Sequence, residues 1–335
     1  MKVFLKIGIA LLIAGFVIAV LGLVLGASWK GLYLSRTGVN VIESEQFNVS
    51  EMYQSTVKNI DINIQFSDVE FVNADEFGME ILAYNEDNWS WELNNGALRI
   101  REGNRQGFSI GILNTQRSYV KVFVPRGAQL DKVTVRTSSG DIKMGDFSAN
   151  FVDINDDFGN VNISSIASDA LTVSLSSGRF GGVGLNVKTF TYRNSFGNGI
   201  FQDVQAGKLM ITCDSGDLEL SRCGFGELKI TNSFGNITAA GLNSLKTNIT
   251  SNSGEVNLEG EFSGETVIDS QFGNVKFSTS KPKEAYTYTI ETSFGNVRID
   301  NERFRDNTSV RSSGSSENSL RIEASSGDIE VYFGR

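Results

Sequence analysis

Residues 133–161 read VTVRTSSGDIKMGDFSANFVDINDDFGNV, and their pattern, which recurs along the chain, indicates the architecture. Gly140 and Gly159 each stand between two arms in which apolar residues alternate with polar ones. An alternation with a period of two predicts strands that bury one face. Each glycine therefore marks a turn between two strands, where it adopts a left-handed backbone without the penalty of a Cβ atom.

The turn glycines recur at a fixed interval. The interval from Gly140 to Gly159 repeats without change as far as Gly273, and two more turn glycines follow at wider intervals. The full set is Gly140, Gly159, Gly178, Gly197, Gly216, Gly235, Gly254, Gly273, Gly295 and Gly327. One repeat cannot bury its apolar face alone, so successive repeats must stack as parallel coils about 4.8 Å apart. The sequence predicts an all-β parallel β-helix with 19-residue coils. A meander of hairpins is the alternative, but it does not require a fixed repeat.

A second period, twice as long, lies on top of the first. The residue before the glycine alternates between Phe158, Phe196, Phe234, Phe272 and Ser139, Ser177, Ser215, Ser253. Large rings beside small neighbours suit coils that lie too close together for Phe at every level, so we interpret the alternation as packing.

The row after the glycine is polar. It consists of Asp141, Asn160, Arg179, Asn198, Asp217, Asn236, Glu255 and Asn274. Calcium needs about six to eight oxygens close together. The acids of this row lie on alternate coils, about 10 Å apart, and Arg179 interrupts them. We therefore expect these side chains to hydrogen-bond to backbone as turn formers.

The composition excludes several kinds of chemistry. The chain has no histidine and two cysteines, so it cannot build Ser-His-Asp triads, histidine zinc sites or Cys₄ clusters. We predict no catalytic set, no metal site and no cofactor. The net charge is −9 and no basic run occurs, which argues against nucleic acid as a partner.

The N-terminus has a different character. Residues 7–27 form an uninterrupted run without a charged side chain, preceded by Lys2 and Lys6 and followed by Trp29. This length is enough to cross a bilayer, and it exceeds the roughly 7–15 residues typical of a cleaved signal peptide, which is the alternative. We predict a cytoplasmic tail over residues 1–6, a transmembrane helix over 7–27 and a linker over 28–45. The C-terminal domain is then extracytoplasmic on a single-pass protein of the cell membrane.

Small residues form a stripe on this predicted helix. They are Gly8, Gly15, Ala19, Gly22 and Gly26. Small residues let two helix backbones approach closely, so the stripe is a candidate contact with another membrane or envelope protein. The alternative is that glycine and alanine are simply common in membrane helices.

Two segments lie outside the regular repeat. Residues 46–130 keep strand patterns without the regular glycine spacing, and we predict irregular coils that cap the β-helix there. Trp89, Trp91 and Phe108 are candidate surface contacts within this segment, with cap packing as the alternative for the tryptophans. Within the regular β-helix, predicted over 131–335, the polar residues 301–318 form an insertion beside the last coil.

The two cysteines flank one turn. Cys213 precedes Gly216 and Cys223 follows it, both at inward positions of the repeat. Buried free thiols are one interpretation. A disulfide across the coil, which an extracytoplasmic location would allow, is the other.

The stretch from Val122 to Ile142 resembles the bacterial putative-adhesin family of unknown function. It combines VFVPRGAQL with Leu-x-x-Val-x-Val and a Ser-Gly-Asp-Ile turn, and the resemblance extends over roughly residues 45–335. It implies a β-helical, largely extracytoplasmic domain of cell-envelope proteins, some of whose relatives belong to envelope-stress systems. The family has no agreed catalytic residues, so the resemblance carries none over.

These observations favour a membrane-anchored binding or scaffold protein of the cell envelope that is not an enzyme. A partner in an envelope-stress or other membrane complex is the preferred form, and a cell-surface adhesin is the alternative. A carbohydrate-active enzyme is a further alternative, since such enzymes work with two carboxylates and no histidine. Its candidate acids are Asp156, Asp157, Asp203, Asp214 and Asp217.

Overall fold

The computed structural model describes residues 8, 12, 14–18, 32–35, 38–41, 46–84, 86–103, 108–110, 118–305, 308–312 and 316–335. The chain divides into two compact units. The first comprises residues 1–45 and 104–116, and the second comprises residues 46–103 and 117–335.

The described part of the chain is dominated by β-strands. In chain order they are β1 Leu32–Ser35, β2 Gly38–Val41, β3 Gln46–Tyr53, β4 Asn59–Ile64, β5 Asp68–Ala74, β6 Phe77–Tyr84, β7 Trp89–Asn94, β8 Ala97–Glu102, β9 Phe108–Ile110, β10 Tyr119–Pro125, β11 Gln129–Ser139, β12 Ile142–Gly145, β13 Ser148–Phe158, β14 Val161–Ser164, β15 Ala167–Ser177, β16 Phe180–Val183, β17 Asn186–Phe196, β18 Gly199–Gln202, β19 Gln205–Ser215, β20 Leu218–Ser221, β21 Gly224–Phe234, β22 Ile237–Ser253, β23 Val256–Phe272, β24 Val275–Thr279, β25 Tyr286–Phe294, β26 Val297–Ile299, β27 Glu302–Phe304, β28 Thr308–Arg311, β29 Asn318–Ser326 and β30 Ile329–Phe333. Two short 3₁₀ turns lie at Glu86–Asn88 and Lys283–Ala285.

The first unit contains a small antiparallel sheet with the strand order β2-β1-β9. Strands β1 and β2 fall in the segment predicted as a linker. Residues 8, 12 and 14–18 are α-helical, and the rest of the predicted transmembrane segment 7–27 lies outside the described residues. Within the described residues, no helix has the length and apolar character needed to span a membrane. The transmembrane helix therefore stays a prediction.

The second unit is the predicted all-β repeat solenoid. From β11 to β21 each repeat supplies a strand of eleven residues and a strand of four, and each strand pairs in parallel with its counterpart one repeat away. Val152 of β13, for example, is level with Leu171 of β15. The predicted inward positions are buried, because the alternation turns every second side chain of each strand towards the core.

Gly216 shows why the regular turns between the strands favour glycine. Gly216 has a φ of +152°, a conformation that residues with a Cβ atom rarely adopt. A Cβ atom at Gly216 would also overlap the carbonyl oxygen of Gly197 in the adjacent coil. Between these same two coils the Gly197 amide donates to the Ser215 carbonyl at 2.8 Å, and the Gly216 amide donates in turn to the Phe234 carbonyl of the next coil at 2.8 Å.

At the N-terminal end the order of coils in space differs from their order in the chain. The coil of β4 and β5 lies between the coil of β11 and β12 on one side and the coil of β8 and β10 on the other, with parallel pairing throughout. Strands β3, β6 and β7 then add antiparallel pairs beyond this coil. The described part of the segment 46–130 thus holds coils that depart from the regular repeat, with antiparallel strands beyond them.

The coils are interleaved in the same way at the C-terminal end. The last coil in the chain, β29 with β30, lies between the coil of β23 and β24 and the coil of β25 and β26. Strands β27 and β28 come from the insertion predicted over 301–318, and they pair antiparallel with β26 and β25. The described part of the insertion therefore contributes strands to the sheet, whereas the sequence suggested a polar loop or flap beside the last coil.

Candidate functional site

The phenylalanines that precede the turn glycines point to solvent. Their exposed fractions lie between 57% and 77%. We call this set the aromatic row; it consists of Phe66, Phe158, Phe196, Phe234, Phe272 and Phe294. The sequence interpretation of these rings as a packing device is corrected on this point, because they lie outside the core.

The row alternates with serine from the coil of β4 and β5 to the coil of β25 and β26. Strand pairing places the two residue types on successive levels in the order Ser139, Phe158, Ser177, Phe196, Ser215, Phe234, Ser253, Phe272, Ser326, Phe294. Phe66 occupies the level before Ser139 in the stack. This follows from the pairing of Ile64 with Thr137, because Phe66 and Ser139 each lie two residues further along the chain. With about 4.8 Å between strands, successive rings stand about 10 Å apart over a serine gap.

The alternation holds in space where it fails in the chain. Ser326 comes well after Phe294 in the sequence, yet it lies between Phe272 and Phe294 in the stack. Phe66 belongs to the row although its turn has Ser67 in place of glycine. The sequence analysis missed Phe66 and Phe294, since neither can be placed in the row without knowing how the end coils are interleaved.

A polar rim runs along one side of the aromatic row. It consists of Asp68, Asp141, Asn160, Arg179, Asn198, Asp217, Asn236, Glu255, Asn274, Asp328 and Asn296. At most levels the Asp or Asn Oδ1 accepts the backbone N–H of the next level at 2.8–3.1 Å, as Asp217 does from Asn236. We expected these side chains to bond to local backbone as turn formers, and this expectation is wrong for the bonds just described, because they link neighbouring coils. No metal-binding group of acids and thiols occurs in the described part of the chain.

A buried polar row lies beneath the turns, three residues before the glycine. Asn194 donates through Nδ2 to the carbonyls of Gly178 at 3.0 Å and Gly197 at 3.1 Å, and so ties two coils together. Asn232 occupies the same row, and its Nδ2 donates to the Gly235 carbonyl at 2.9 Å.

Asp156 occupies the same row two coils before Asn194, and its side chain is fully buried. Its Oδ1 accepts the Phe158 N–H at 3.2 Å, and its Oδ2 has no partner. Burial raises the pKa of the Asp156 carboxyl to about 7, against a smaller lowering by the Phe158 N–H. A protonated Oδ2 could donate as the asparagine Nδ2 atoms do, whereas a carboxylate could not.

The carboxylates considered for glycoside chemistry have different environments. Asp156 is buried in the core and Asp157 accepts from Ser176 at 3.3 Å on the outside. Asp203 forms a bidentate pair with Arg222 at 2.7 and 2.8 Å, which lowers the pKa of the Asp203 carboxyl. Asp217 belongs to the polar rim. Asp214 is exposed near the end of β19.

The tryptophans pack in the N-terminal cap. Trp89 is buried, with 7% of its surface exposed, and Trp91 stacks on Phe47 at 6.4 Å. The Trp91 indole N–H donates to Glu51 at 2.9 Å. The suggested surface contact at Trp89 is thereby corrected to cap packing, because a buried ring has no face for a ligand. Phe108 lies on β9 of the first unit, opposite Leu34 of β1.

Both cysteines are free and buried. Burial raises the pKa of the Cys213 thiol to about 11. Of the small-residue stripe, Gly8 and Gly15 are helical, while Ala19, Gly22 and Gly26 lie outside the described residues.

The model of the family described as Toastrack DUF4097 matches residues 57–332, and the chain belongs to this family. No curated protein matches the chain. Among solved structures, it is similar to a putative lipid binding protein from Parabacteroides distasonis, at 13% identity and a TM-score of 0.44, covering 84% of this chain and 96% of the other. A putative adhesin from Parabacteroides merdae has 10% identity and a TM-score of 0.41, covering 86% and 96%. A putative adhesin from Bacteroides fragilis has 11% identity and a TM-score of 0.39, covering 86% and 97%.

Proposed function

We propose that this chain is a membrane-anchored, extracytoplasmic binding or scaffold protein of the bacterial cell envelope, without enzymatic activity. The aromatic row carries the proposal. Contiguous exposed apolar surface on a soluble domain marks an interaction site, whereas isolated exposed side chains do not. Six rings recur on alternate levels of one face, about 10 Å apart, so they form a regular array of exposed apolar groups and are not scattered singly.

The scaffold beneath the row is rigid. The turn glycines from Gly140 to Gly273, and Gly327, donate their N–H groups to the next coil of the stack. The polar rim adds a second set of bonds between coils at most levels. The spacing of the rings is therefore fixed by the strand spacing. A rigid set of aromatic side chains loses little conformational entropy on binding, so the row suits recognition.

The anchor in this proposal is the apolar segment 7–27, with the lipid bilayer as its partner. Lys2 and Lys6 would then lie on the cytoplasmic side. The stripe of small residues would contact another membrane protein, in keeping with a role inside an envelope complex.

Cysteine labelling in intact cells tests the location. Thr238→Cys, at an exposed position, is expected to react with a membrane-impermeant maleimide from outside, and Lys2→Cys only after permeabilisation. The parent chain supplies the background, because Cys213 and Cys223 are buried. Labelling of Lys2→Cys in intact cells, with Thr238→Cys protected, would reverse the proposed topology.

Photo-crosslinking tests the binding role. A photoreactive amino acid in place of Phe234 is expected to yield discrete adducts in intact cells. The matched control is the same amino acid in place of Phe151, which is 54% exposed but lies outside the row. Equal adduct yields at the two positions would remove the row as the binding surface.

A further inference from the structure

The aromatic row is complementary in shape to itself. A ring inserted midway into a serine gap would lie about 4.8 Å from each flanking ring, which is within the range of about 4.5–7 Å for favourable aromatic pairs. We propose that two copies of this chain associate antiparallel through their aromatic rows, each ring of one copy entering a serine gap of the other. The inference rests on the proposed function in that it takes the row as a contact surface, and it names the partner.

Symmetry restricts the geometry. A two-fold axis parallel to the stack would set every level opposite itself, so that Phe meets Phe. An axis across the stack, between the levels of Ser215 and Phe234, runs the two rows in opposite directions and sets every Phe opposite a Ser. Phe234 then faces Ser215, Phe196 faces Ser253 and Phe158 faces Ser326. This contact is closed, and it involves the same surface on both copies.

The polar rim independently supports an axis between two levels, which offsets the two rows by one coil. An axis across the stack keeps the two rims on the same side, so acidic residues could repel each other across the interface. Its acids other than Asp68 lie on the serine levels, and its asparagines lie on the phenylalanine levels. With the axis between Ser215 and Phe234, acids face amides: Asp217 faces Asn236, Glu255 faces Asn198 and Asp328 faces Asn160. If the axis instead passed through the level of Ser215, Asp217 would face Asp217 of the other copy, and Asp141 would face Asp328 of the other copy.

The available area suits a dimer. Five rings of each copy, Phe158 to Phe294, fall within the overlap. With about 200 Å² per aromatic side chain, their exposed fractions amount to roughly 600 Å² per copy. A stable interface of standard size takes about 800 Å² from each partner, so the flanking rims need to add only a modest share. An anionic membrane is a poorer occupant, because the acids of the rim would be repelled from it.

Cysteine crosslinking of the purified full-length chain in nanodiscs tests the arrangement. In the antiparallel dimer, Ser215 of one copy lies one level from Ser215 of the other copy. Ser139 of one copy lies one level from Ser326 of the other. A short bis-maleimide is therefore expected to crosslink Ser215→Cys with itself. It should also crosslink a mixture of Ser139→Cys and Ser326→Cys, but neither of these alone. Self-crosslinking of Ser139→Cys would indicate a parallel pair and overturn the proposal, as would the absence of crosslinks in every variant.

Removing the central rings provides the second readout. Phe196→Ser with Phe234→Ser is expected to reduce the Ser139–Ser326 crosslink at least tenfold, whereas Phe151→Ser leaves it unchanged. Thermal melts verify folding, which loss of exposed rings should preserve. Contacts made by residues 7–27 would survive these substitutions, so a crosslink that survives them overturns the proposal. Adducts of Phe234 in cells with a mass other than that of a second copy would leave the binding role standing and refute self-association.

Discussion

The middle of the stack and its two ends follow different rules. Between the turns of Gly159 and Gly254 each coil pairs with the coils before and after it in the chain. At each end, the terminal coil of the chain is inserted between two coils that follow each other in sequence. The middle can therefore grow by repetition, whereas each end is closed by interleaving.

The difference has a physical reason. A terminal coil of a solenoid has a neighbour on one side only, so it tends to open locally, and its exposed strand edges invite pairing with other chains. Interleaving gives the last coil of the chain two neighbours, and antiparallel strands cover the outermost one. The aromatic row extends over both kinds of coil, since its alternation runs from Phe66 in the inserted N-terminal coil to Phe294 in the outermost C-terminal coil.

The largest expected effect comes from a turn in the middle. Gly216→Val combines a positive φ with overlap on the Gly197 carbonyl, and it should lower the free energy of unfolding by about 3 kcal/mol or more. Gly295→Val, in the outermost coil, should cost less because local opening of that coil relieves the strain. Urea denaturation measures both. Gly127→Val is the control, since Gly127 has a positive φ but open space around it. Equal losses at Gly216 and Gly295 would contradict the distinction between middle and end.

The inserted C-terminal coil should behave like a middle coil. Ile322→Ala is expected to cost about 2–4 kcal/mol, as much as Ile249→Ala in the middle, because both side chains are fully buried at the same place in the repeat. Amide hydrogen exchange should likewise protect β29 as strongly as β22. A loss below about 1 kcal/mol for Ile322→Ala would mean that the coil frays like an ordinary chain end.

Asp156 should make the stability of the middle coils depend on pH. Burial raises the pKa of the Asp156 carboxyl in the folded chain to about 7, from 3.8 as its ordinary value. The folded state thus holds a proton that the unfolded state has released, so stability falls as pH rises from about 4 and levels off above about 8. Asp156→Asn should remove this dependence and stabilise the protein by about 2 kcal/mol at pH 8, with little effect at pH 4.

The reciprocal change serves as the control. Asn194→Asp places a carboxyl at the equivalent position beneath another turn, so it should introduce a similar loss of stability at alkaline pH. Denaturation midpoints measured from pH 4 to 9 decide the matter. Identical pH profiles for the parent chain and Asp156→Asn would show that the Asp156 carboxyl does not titrate in this range.

The smallest effect is expected in the aromatic row. Phe158→Ser should change the free energy of unfolding by less than about 0.5 kcal/mol in dilute protein, because the ring is 64% exposed. Phe201→Ser, at a fully buried ring of the core, should cost about 3–5 kcal/mol. Chemical denaturation at low protein concentration compares them. A large loss for Phe158→Ser would return the row to the structural role that the sequence suggested.

Much of the fold was predictable from local pattern. The period of two within each arm located the strands, and the fixed spacing of glycines located the coils, because both are properties of a single repeat. A second left-handed corner was not recognised, although it also recurs once in every regular coil. Its residues are Asp146, Ser165, Gly184, Asp203, Arg222 and Gly241. Varied residue types occupy this corner, so composition gave no signal comparable to the turn glycines.

The candidate site was only half visible in the sequence. The alternation of Phe and Ser was evident, but its direction was not, since the residue before the turn continues a strand and could face either side. The backbone at the turn places Phe158 outside and Asp156, two residues earlier, inside. Apolar residues are assigned to the core by default. Residue type alone does not distinguish an exposed phenylalanine that makes a contact from a buried one that packs in the core.

Spacing and side-chain type suffice to predict the repeat, with its half-buried strands, its glycine turns and its parallel stacking. The order of the coils at the ends and the face that the phenylalanines occupy emerge only in the folded chain. Both depend on contacts between residues far apart in the chain, such as Phe272 with Ser326, and local pattern carries no record of such contacts. The alternation of the aromatic row is therefore complete only when the last coil of the chain, β29 with β30, has inserted between its two neighbours.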